Sequence, residues 1–314
     1  MKTIVTDSAR EAAEVIRSGG LAAFPTETVY GLGADIFNRE ALGRIFEAKG
    51  RPQDNPLIAH IGRPEQMAML AEEVSDSAQR LMERFFPGPL TVVVKRTEAV
   101  PDIATAGLDS IGVRMPGNDL AREFISLCGT PIAAPSANLS GRPSPTTWEA
   151  VLEDLDGRID CILKGESTEI GLESTVVDCT KEPPVLLRPG AVSLEELREV
   201  VPGVEVHTDI DGVIASPGMR HRHYSPRARV VIVNAGEAFS PGPGEAAAFI
   251  GITQPTGQAR VMEICDGVDD YARRLFEFFR KCDRAGIETI YCEAVPETGR
   301  GAALMDRVRR ATEE

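Results

Sequence analysis

Phe24-Pro-Thr-Glu-Thr-Val-Tyr-Gly-Leu-Gly33, followed by Lys49-Gly-Arg51-Pro-Gln-Asp-Asn-Pro56, is the stretch from which the fold can be read. The apolar run Gly20 to Phe24 leads into hydroxyls and two glycines. Arg39–Lys49 then has the spacing of an amphipathic helix, with Leu42, Ile45 and Phe46 on one face and Gly50 just past its end. A proline-framed loop leads on to Leu57-Ile-Ala-His60. Buried strand, polar turn, helix and strand in that order make an α/β unit. Such folds build sites where polar groups collect at the ends of buried elements. A second polar stretch, Ala133-Ala-Pro-Ser-Ala-Asn138-Leu-Ser-Gly-Arg-Pro-Ser144, overlaps another apolar run, Pro131 to Ala134. Gly31-x-Gly33 lacks a third glycine at the dinucleotide-binding spacing and reads as a tight turn.

Outward from this core, helical and strand patterns alternate. Asp76–Phe86 is amphipathic and stopped by Pro87-Gly-Pro89. Leu90–Lys95 and Ile111–Met115 read as strands, Leu120–Cys128 as a helix and Pro131–Ala134 as a buried strand. Thr146-Thr-Trp-Glu149 has the form of a capping box for a helix to Leu155, and Ser193-Leu-Glu-Glu196 for one ending near Val200. Strands are expected at Cys161–Leu163, Thr175–Asp178 and Val185–Leu187. Pro202 to Arg229 lacks either periodicity and reads as a linker, with a basic run Arg220-His-Arg-His-Tyr-Ser-Pro-Arg227. A smaller α/β unit follows: strands at Val230–Val233, Ala247–Ile252, Val261–Ile264 and Ile287–Ala294, with helices Asp269–Ala285 and Gly301–Ala311. The expected division is 1–202, a linker or lid 203–228, and 229–314.

The 314 residues favour two domains, and 42% apolar content supports a packed core. A formal net charge of -14 argues against a broad nucleic-acid face, though not against a local pocket for a small anion. Six cysteines without a C-x-x-C pair suit reduced thiols in a cytosolic protein. Met1 to Gly19 has no apolar signal-peptide core, and no apolar run is long enough to span a membrane.

There is no P-loop and no G-x-S-x-G elbow. His221-x-His223 lies in a cationic loop without a nearby Cys or carboxylate, which fits a solvated or phosphate-facing role better than a metal site. Lys49 and Arg51 at a helix end could offset the helix dipole, and Arg114 could be an edge-strand charge. Arg188 lies between Leu187 and Pro189-Gly190. Four cations at the ends of different core elements, in an acidic chain, point together to one anion pocket. Ser136, Asn138, Ser140 and Ser144 could satisfy turns, or bind phosphate oxygens or a ribose. Thr26, Thr28 and His60 carry the same ambiguity. Glu27 and Glu173 do not read as a paired carboxylate site and receive no proton-transfer role.

As a set, Pro25-Thr-Glu-Thr-Val-Tyr-Gly-Leu-Gly33, Lys49-Gly-Arg51, Asp54-Asn-Pro-Leu57, Ser136-Ala-Asn138, Glu173-Ser-Thr175, Leu187-Arg-Pro-Gly190 and His223-Tyr-Ser-Pro226 resemble the threonylcarbamoyl-AMP synthase family in its longer, two-domain form. The resemblance implies an open, twisted, mixed α/β sheet with helices (YrdC-like), plus a smaller Rossmann-like α/β domain. It implies a cytoplasmic nucleotidyltransferase that joins L-threonine, bicarbonate and ATP, with magnesium on the phosphates, and releases pyrophosphate. The product would feed later enzymes of tRNA threonylcarbamoylation, with tRNA contact possible but tRNA not the substrate of this step.

Residue by residue, the resemblance places Thr28, His60, Arg114, Ala134 and Ser174 at threonine and makes Arg114 the carboxylate partner. It places Arg51, Asn55, Ser110, Ser136, Asn138, Ser144, Arg188 and Tyr224 at nucleotide. Lys49 and Arg51 are its catalytic pair, Lys49 balancing phosphate or carboxylate charge, and no metal ligand is implied in the chain. The rival readings are a same-fold paralogue without this activity and an RNA-binding protein of the same fold. The net charge and the lack of aromatic–basic interleaving weigh against the second.

Overall fold

The computed structural model describes residues 2–207, 224–242 and 244–312. Its first part orders β1 (Ile4–Thr6), α1 (Ala9–Arg17), β2 (Ala22–Phe24), β3 (Gly31–Asp35), α2 (Arg39–Lys49), β4 (Ile58–His60), β5 (Ala71–Glu73), α3 (Asp76–Phe85), β6 (Leu90–Arg96), α4 (Asp102–Thr105), β7 (Ser110–Arg114), α5 (Asp119–Cys128) and β8 (Ile132–Ala134). Then come α6 (Trp148–Leu155), β9 (Cys161–Leu163), β10 (Thr175–Asp178), β11 (Val185–Arg188), α7 (Leu194–Val200) and β12 (Glu205–Val206). These strands form one mixed sheet in the order β1-β9-β2-β3-β8-β4-β7-β6-β10-β11-β12, with β5 added on β6. The second part holds β13 (Arg229–Val233), β14 (Ala247–Gly251), β15 (Val261–Ile264), α8 (Val268–Arg284), β16 (Thr289–Glu293) and α9 (Arg300–Thr312). Its sheet is wholly parallel, in the order β13-β16-β14-β15.

The two polar stretches are adjacent because the sheet zips their backbones together. β3 pairs antiparallel with both β2 and β8. Beyond β8, the Leu32 amide donates to the Pro135 carbonyl and the Ala137 amide to that of Tyr30. β4 lies between β8 and β7, in a register that sets His60 beside Ile132 on one side and Arg114 on the other.

Gly31 and Gly33 therefore belong to a strand, which corrects the tight-turn reading. Their role is close packing: a Cβ at Gly33 would lie 2.7 Å from Ile132 Cγ2, and one at Gly31 3.1 Å from the Phe24 ring. The cap of α6 is also corrected. Thr147, not Thr146, accepts from the Ala150 amide, whereas the Ser193–Glu196 capping box is present as expected. β12 lies inside the expected linker and pairs with β11. The elements β1, α1, β5 and α4 carried no expectation. In α1 the buried Ala9, Ala12, Ala13 and Ile16 repeat at helical spacing, but alanines give a weak pattern.

A large apolar cluster runs from Leu21 and Tyr30 through α2 to Val204, and a second joins α1 and α5 around Phe24 and Phe124. The core of the C-terminal part extends beyond its own sheet. Val29, Leu172 and Tyr224 pack into the same cluster as Phe276, Phe279 and Leu304.

Candidate active site

One cleft gathers most of the site residues expected from sequence. Thr28, Arg51, His60, Arg114, Ala134, Ser136, Asn138, Ser144, Ser174, Arg188 and Tyr224 line it, along with Thr26, Tyr30 and Glu173. Three expected residues do not. Asn55 is buried next to it, Ser110 opens on a smaller adjoining cavity with Thr91 and Gly112, and Lys49 lies behind the wall.

At one end, Arg114 is fixed on three sides. Its Nη1 donates to Thr28 Oγ1 at 2.8 Å and its Nε to the Gly88 carbonyl at 3.3 Å. Its Nη2 lies 2.7 Å from Glu27 Oε1, an ion pair not aligned as a hydrogen bond. Burial pushes the Glu27 carboxyl up, but the Arg114 guanidinium and the Gly117 backbone more than offset this and hold it below its ordinary value. Thr26 donates its hydroxyl proton to the Val29 carbonyl, so in the 2.8 Å contact between Thr26 and Thr28 it is Thr28 that donates. His60 Nδ1 is 3.1 Å from the Ile58 carbonyl and must carry the proton there. Burial, then the nearby Arg114 charge, lowers its pKa to about 3, so the imidazole is neutral.

The other end is built on Arg51 and Arg188. Arg51 Nη2 reaches the carbonyls of Asn55 and Pro56, both at 3.4 Å, and its Nε has no hydrogen-bond partner among the described residues. Burial pulls its pKa down to about 10. Arg188 donates Nε and Nη2 to the Ser174 carbonyl and Nη2 to the Ser174 hydroxyl, and burial lowers its pKa as well. The side-chain amide of Asn55 is buried with neither its nitrogen nor its oxygen hydrogen-bonded among the described residues.

Lys49 has a different place from the one its motif suggested. Its ammonium is fully enclosed and donates to the carbonyls of Ser136 and Asn138, both at 2.5 Å. Burial and the nearby Arg51 drive its pKa well down. Lys49 thus clamps the Ser136–Asn138 turn from behind, while Ser136 Oγ donates to Asn138 Oδ1 at 2.5 Å.

Two family models cover the chain: one described as telomere recombination at residues 14–190, the other as the C-terminal domain of threonylcarbamoyl-AMP synthase at 192–312. A threonylcarbamoyl-AMP synthase of Pyrococcus abyssi (strain GE5 / Orsay) is 46% identical, covering 96% of this chain and 93% of that one. One from Bacillus subtilis (strain 168) is 40% identical, covering 96% and 92%. The chain belongs to the threonylcarbamoyl-AMP synthase family. A crystal structure of P. abyssi Sua5 complexed with L-threonine superposes with a TM-score of 0.89 at 43% identity, covering 99% of this chain and 97% of that one.

Within this synthase framework, the sequence reading missed the carboxylates and the contribution of the C-terminal unit. Glu27 is the counter-ion of Arg114, and Glu173 accepts from Ser144 Oγ at 2.6 Å. Arg307 and Arg280 cross from α9 and α8 to Glu173 and Asp154, each at 2.8 Å. Tyr224, with φ +66°, stacks on Phe276 at 5.4 Å between ring centroids. His221 and His223, and with them the first half of the expected lid at 220–227, lie outside the described residues.

Proposed function

We propose that this chain makes threonylcarbamoyl-AMP from L-threonine, bicarbonate and ATP. The threonine amine takes up the carbonyl of bicarbonate as a carbamate, with loss of water. A carbamate oxygen then attacks the α-phosphorus of ATP, and pyrophosphate leaves. As a member of its family the chain is a nucleotidyl-transferring enzyme that uses ATP and threonine.

The observation that carries this reading is the single cleft with three buried arginines and several hydroxyls in its wall. A carbamate displacing pyrophosphate needs alignment, charge stabilisation and exclusion of water rather than covalent help. In this reading Arg114 receives the threonine carboxylate, with Thr28, His60, Ala134 and Ser174 around the rest of the amino acid. Arg51, Asn55, Ser110, Ser136, Asn138, Ser144, Arg188 and Tyr224 hold the nucleotide, and Lys49 acts by positioning Ser136 and Asn138.

Among the described residues no group of three metal-ligating side chains occurs, and Glu173 in the cleft wall and Glu27 beside Arg114 are both paired with arginines. In this reading magnesium arrives on the phosphates of ATP. The cleft holds a cavity of about 60 Å³, well below the roughly 300 Å³ of a small ligand pocket. We assign the expected lid the part of covering the nucleotide once it is bound, with Tyr224 already in the wall of the cleft.

We keep the division at 1–202, 203–228 and 229–314 as part of this proposal. No helix among the described residues is long and apolar enough to cross a membrane, and we place the enzyme in the cytoplasm. There its product would pass to later enzymes of tRNA threonylcarbamoylation.

Pyrophosphate release from ATP tests the reading. It should require threonine and bicarbonate together. Equal release with threonine omitted would refute it.

A further inference from the structure

Arg307 of α9 is fully buried, yet it belongs to the C-terminal unit. Its Nε donates to Glu173 Oε2 at 2.8 Å, its Nη2 donates to the Pro189 carbonyl at 3.0 Å, and its Nη1 pairs with Asp306. Its guanidinium carbon sits 5.3 Å from the Tyr224 ring centroid. The other oxygen of Glu173 accepts the Ser144 hydroxyl at 2.6 Å. Glu173, Ser144 and Tyr224 all line the cleft, so one side chain from outside the catalytic unit supports three parts of its wall.

The chain of hydrogen bonds has a direction. A serine hydroxyl has one proton and two lone pairs. With the Ser144 proton directed at Glu173, what remains for a ligand is an acceptor. Phosphate oxygens are acceptors too and gain nothing from it, whereas the hydroxyls of a ribose are donors.

We propose that Arg307 is a positioning residue of the nucleotide site: it pins Glu173, and Glu173 turns the Ser144 hydroxyl so that its lone pairs receive a ribose hydroxyl of ATP. This deepens the synthase reading and rests on it. It also gives the C-terminal unit a part in substrate recognition. Arg280 is the built-in comparison. It makes a similar buried tie, to Asp154 and the Pro143 carbonyl, but neither of those groups lines the cleft.

Glu173→Gln reverses the bond with almost no change of volume, and Glu173→Ala removes it. Arg307 will hold the amide oxygen, which leaves the amide nitrogen to donate to Ser144 and turns the serine proton toward the ligand. The full-length chain is titrated by calorimetry with ATP, 2′-deoxy-ATP, 3′-deoxy-ATP and threonine. The unmodified chain should prefer ATP over at least one deoxy form by about tenfold, the worth of one good hydrogen bond. Because a ribose hydroxyl can also accept, Glu173→Gln should keep a ratio, whereas Glu173→Ala and Arg307→Gln, which leave the Ser144 hydroxyl unaimed, should bring it within about twofold and leave threonine affinity within about twofold. Arg307→Lys should keep more of the ratio than Arg307→Gln. Arg280→Gln should lower the melting temperature and leave the ratio alone.

Equal binding of all three nucleotides by the unmodified chain, or a full ratio in both Glu173→Ala and Arg307→Gln, overturns the proposal. So does a loss of ratio that comes only with a matching loss of threonine binding. A chain that binds neither ATP nor threonine would instead sink the synthase reading itself, and this inference with it.

Discussion

The two ends of the cleft hold positive charge in different ways. At one, Arg114 is matched by Glu27 at 2.7 Å and pinned to Thr28. At the other, no carboxylate among the described residues comes within ion-pair distance of Arg51, and burial drags its pKa down to about 10. An arginine already paired inside the protein adds little net charge and acts mainly through fixed geometry. One without a carboxylate in ion-pair contact keeps its charge available for an anion. The first arrangement suits a zwitterion such as threonine, whose own charges cancel. The second suits a triphosphate, which brings charge in excess. The two ends differ in electrostatics as well as in shape, and each can be broken separately.

The largest effect is expected from Arg114→Ala, because it strands Glu27. Losing one partner of a buried pair costs about 3–5 kcal/mol, read as a fall in unfolding free energy in urea. Glu27→Gln with Arg114→Met should recover most of that stability without recovering threonine binding. A single variant within about 1 kcal/mol of the unmodified chain would show that the pair is not what fixes this end.

Arg51→Ala should do the reverse. No carboxylate is stranded, so stability should stay within about 1 kcal/mol. ATP affinity should fall by about 2 kcal/mol, roughly thirtyfold, for a lost charged hydrogen bond. Comparable loss of stability in both variants would erase the contrast between the ends.

His60 gives the smallest effect and a pH signature. Its folded pKa, about 3, lies below the ordinary 6.5, so the unfolded chain takes up a proton that the folded chain refuses. Stability therefore falls as pH drops below 6.5, by up to about 1.4 kcal/mol per unit from this residue. Glu27, with its carboxyl held low, gives up its own contribution only below its ordinary 4.5. Lys49, also driven down by burial, is common to the unmodified chain and a His60 variant, so between pH 6.5 and 5 the difference between the two reports the imidazole. His60→Gln should flatten the slope there; an unchanged slope would mean that His60 is charged or exposed in solution.

What the sequence could and could not reveal follows the same physical lines. Arg51, Arg114 and Arg188 were legible because each stands at the end of a core helix or strand with Pro or Gly within two residues, where a cation has a direction to point. Arg39–Lys49 and Thr175–Asp178 match the structure residue for residue, since strong periodicity or a short apolar run settles such elements locally. Gly31 and Gly33 were misread because their reason lies across the sheet, in Ile132 and Phe24. Lys49 was placed in the site by its motif, but its partners are the carbonyls of Ser136 and Asn138, which no local pattern announces. Arg307 was invisible for a similar reason. Among Asp306, Arg309 and Arg310 it looks like one charge on a solvated helix face, and only the docking of α9 against Glu173 buries it.

The most direct test of the central claim is a crosswise titration of the full-length chain. Threonine and ATP are titrated separately into Glu27→Gln/Arg114→Met and into Arg51→Ala. The account predicts that the first variant loses threonine by about tenfold or more and keeps ATP within about threefold, and that the second does the opposite. Two variants that weaken both ligands to the same extent would contradict a cleft with two electrostatically distinct ends.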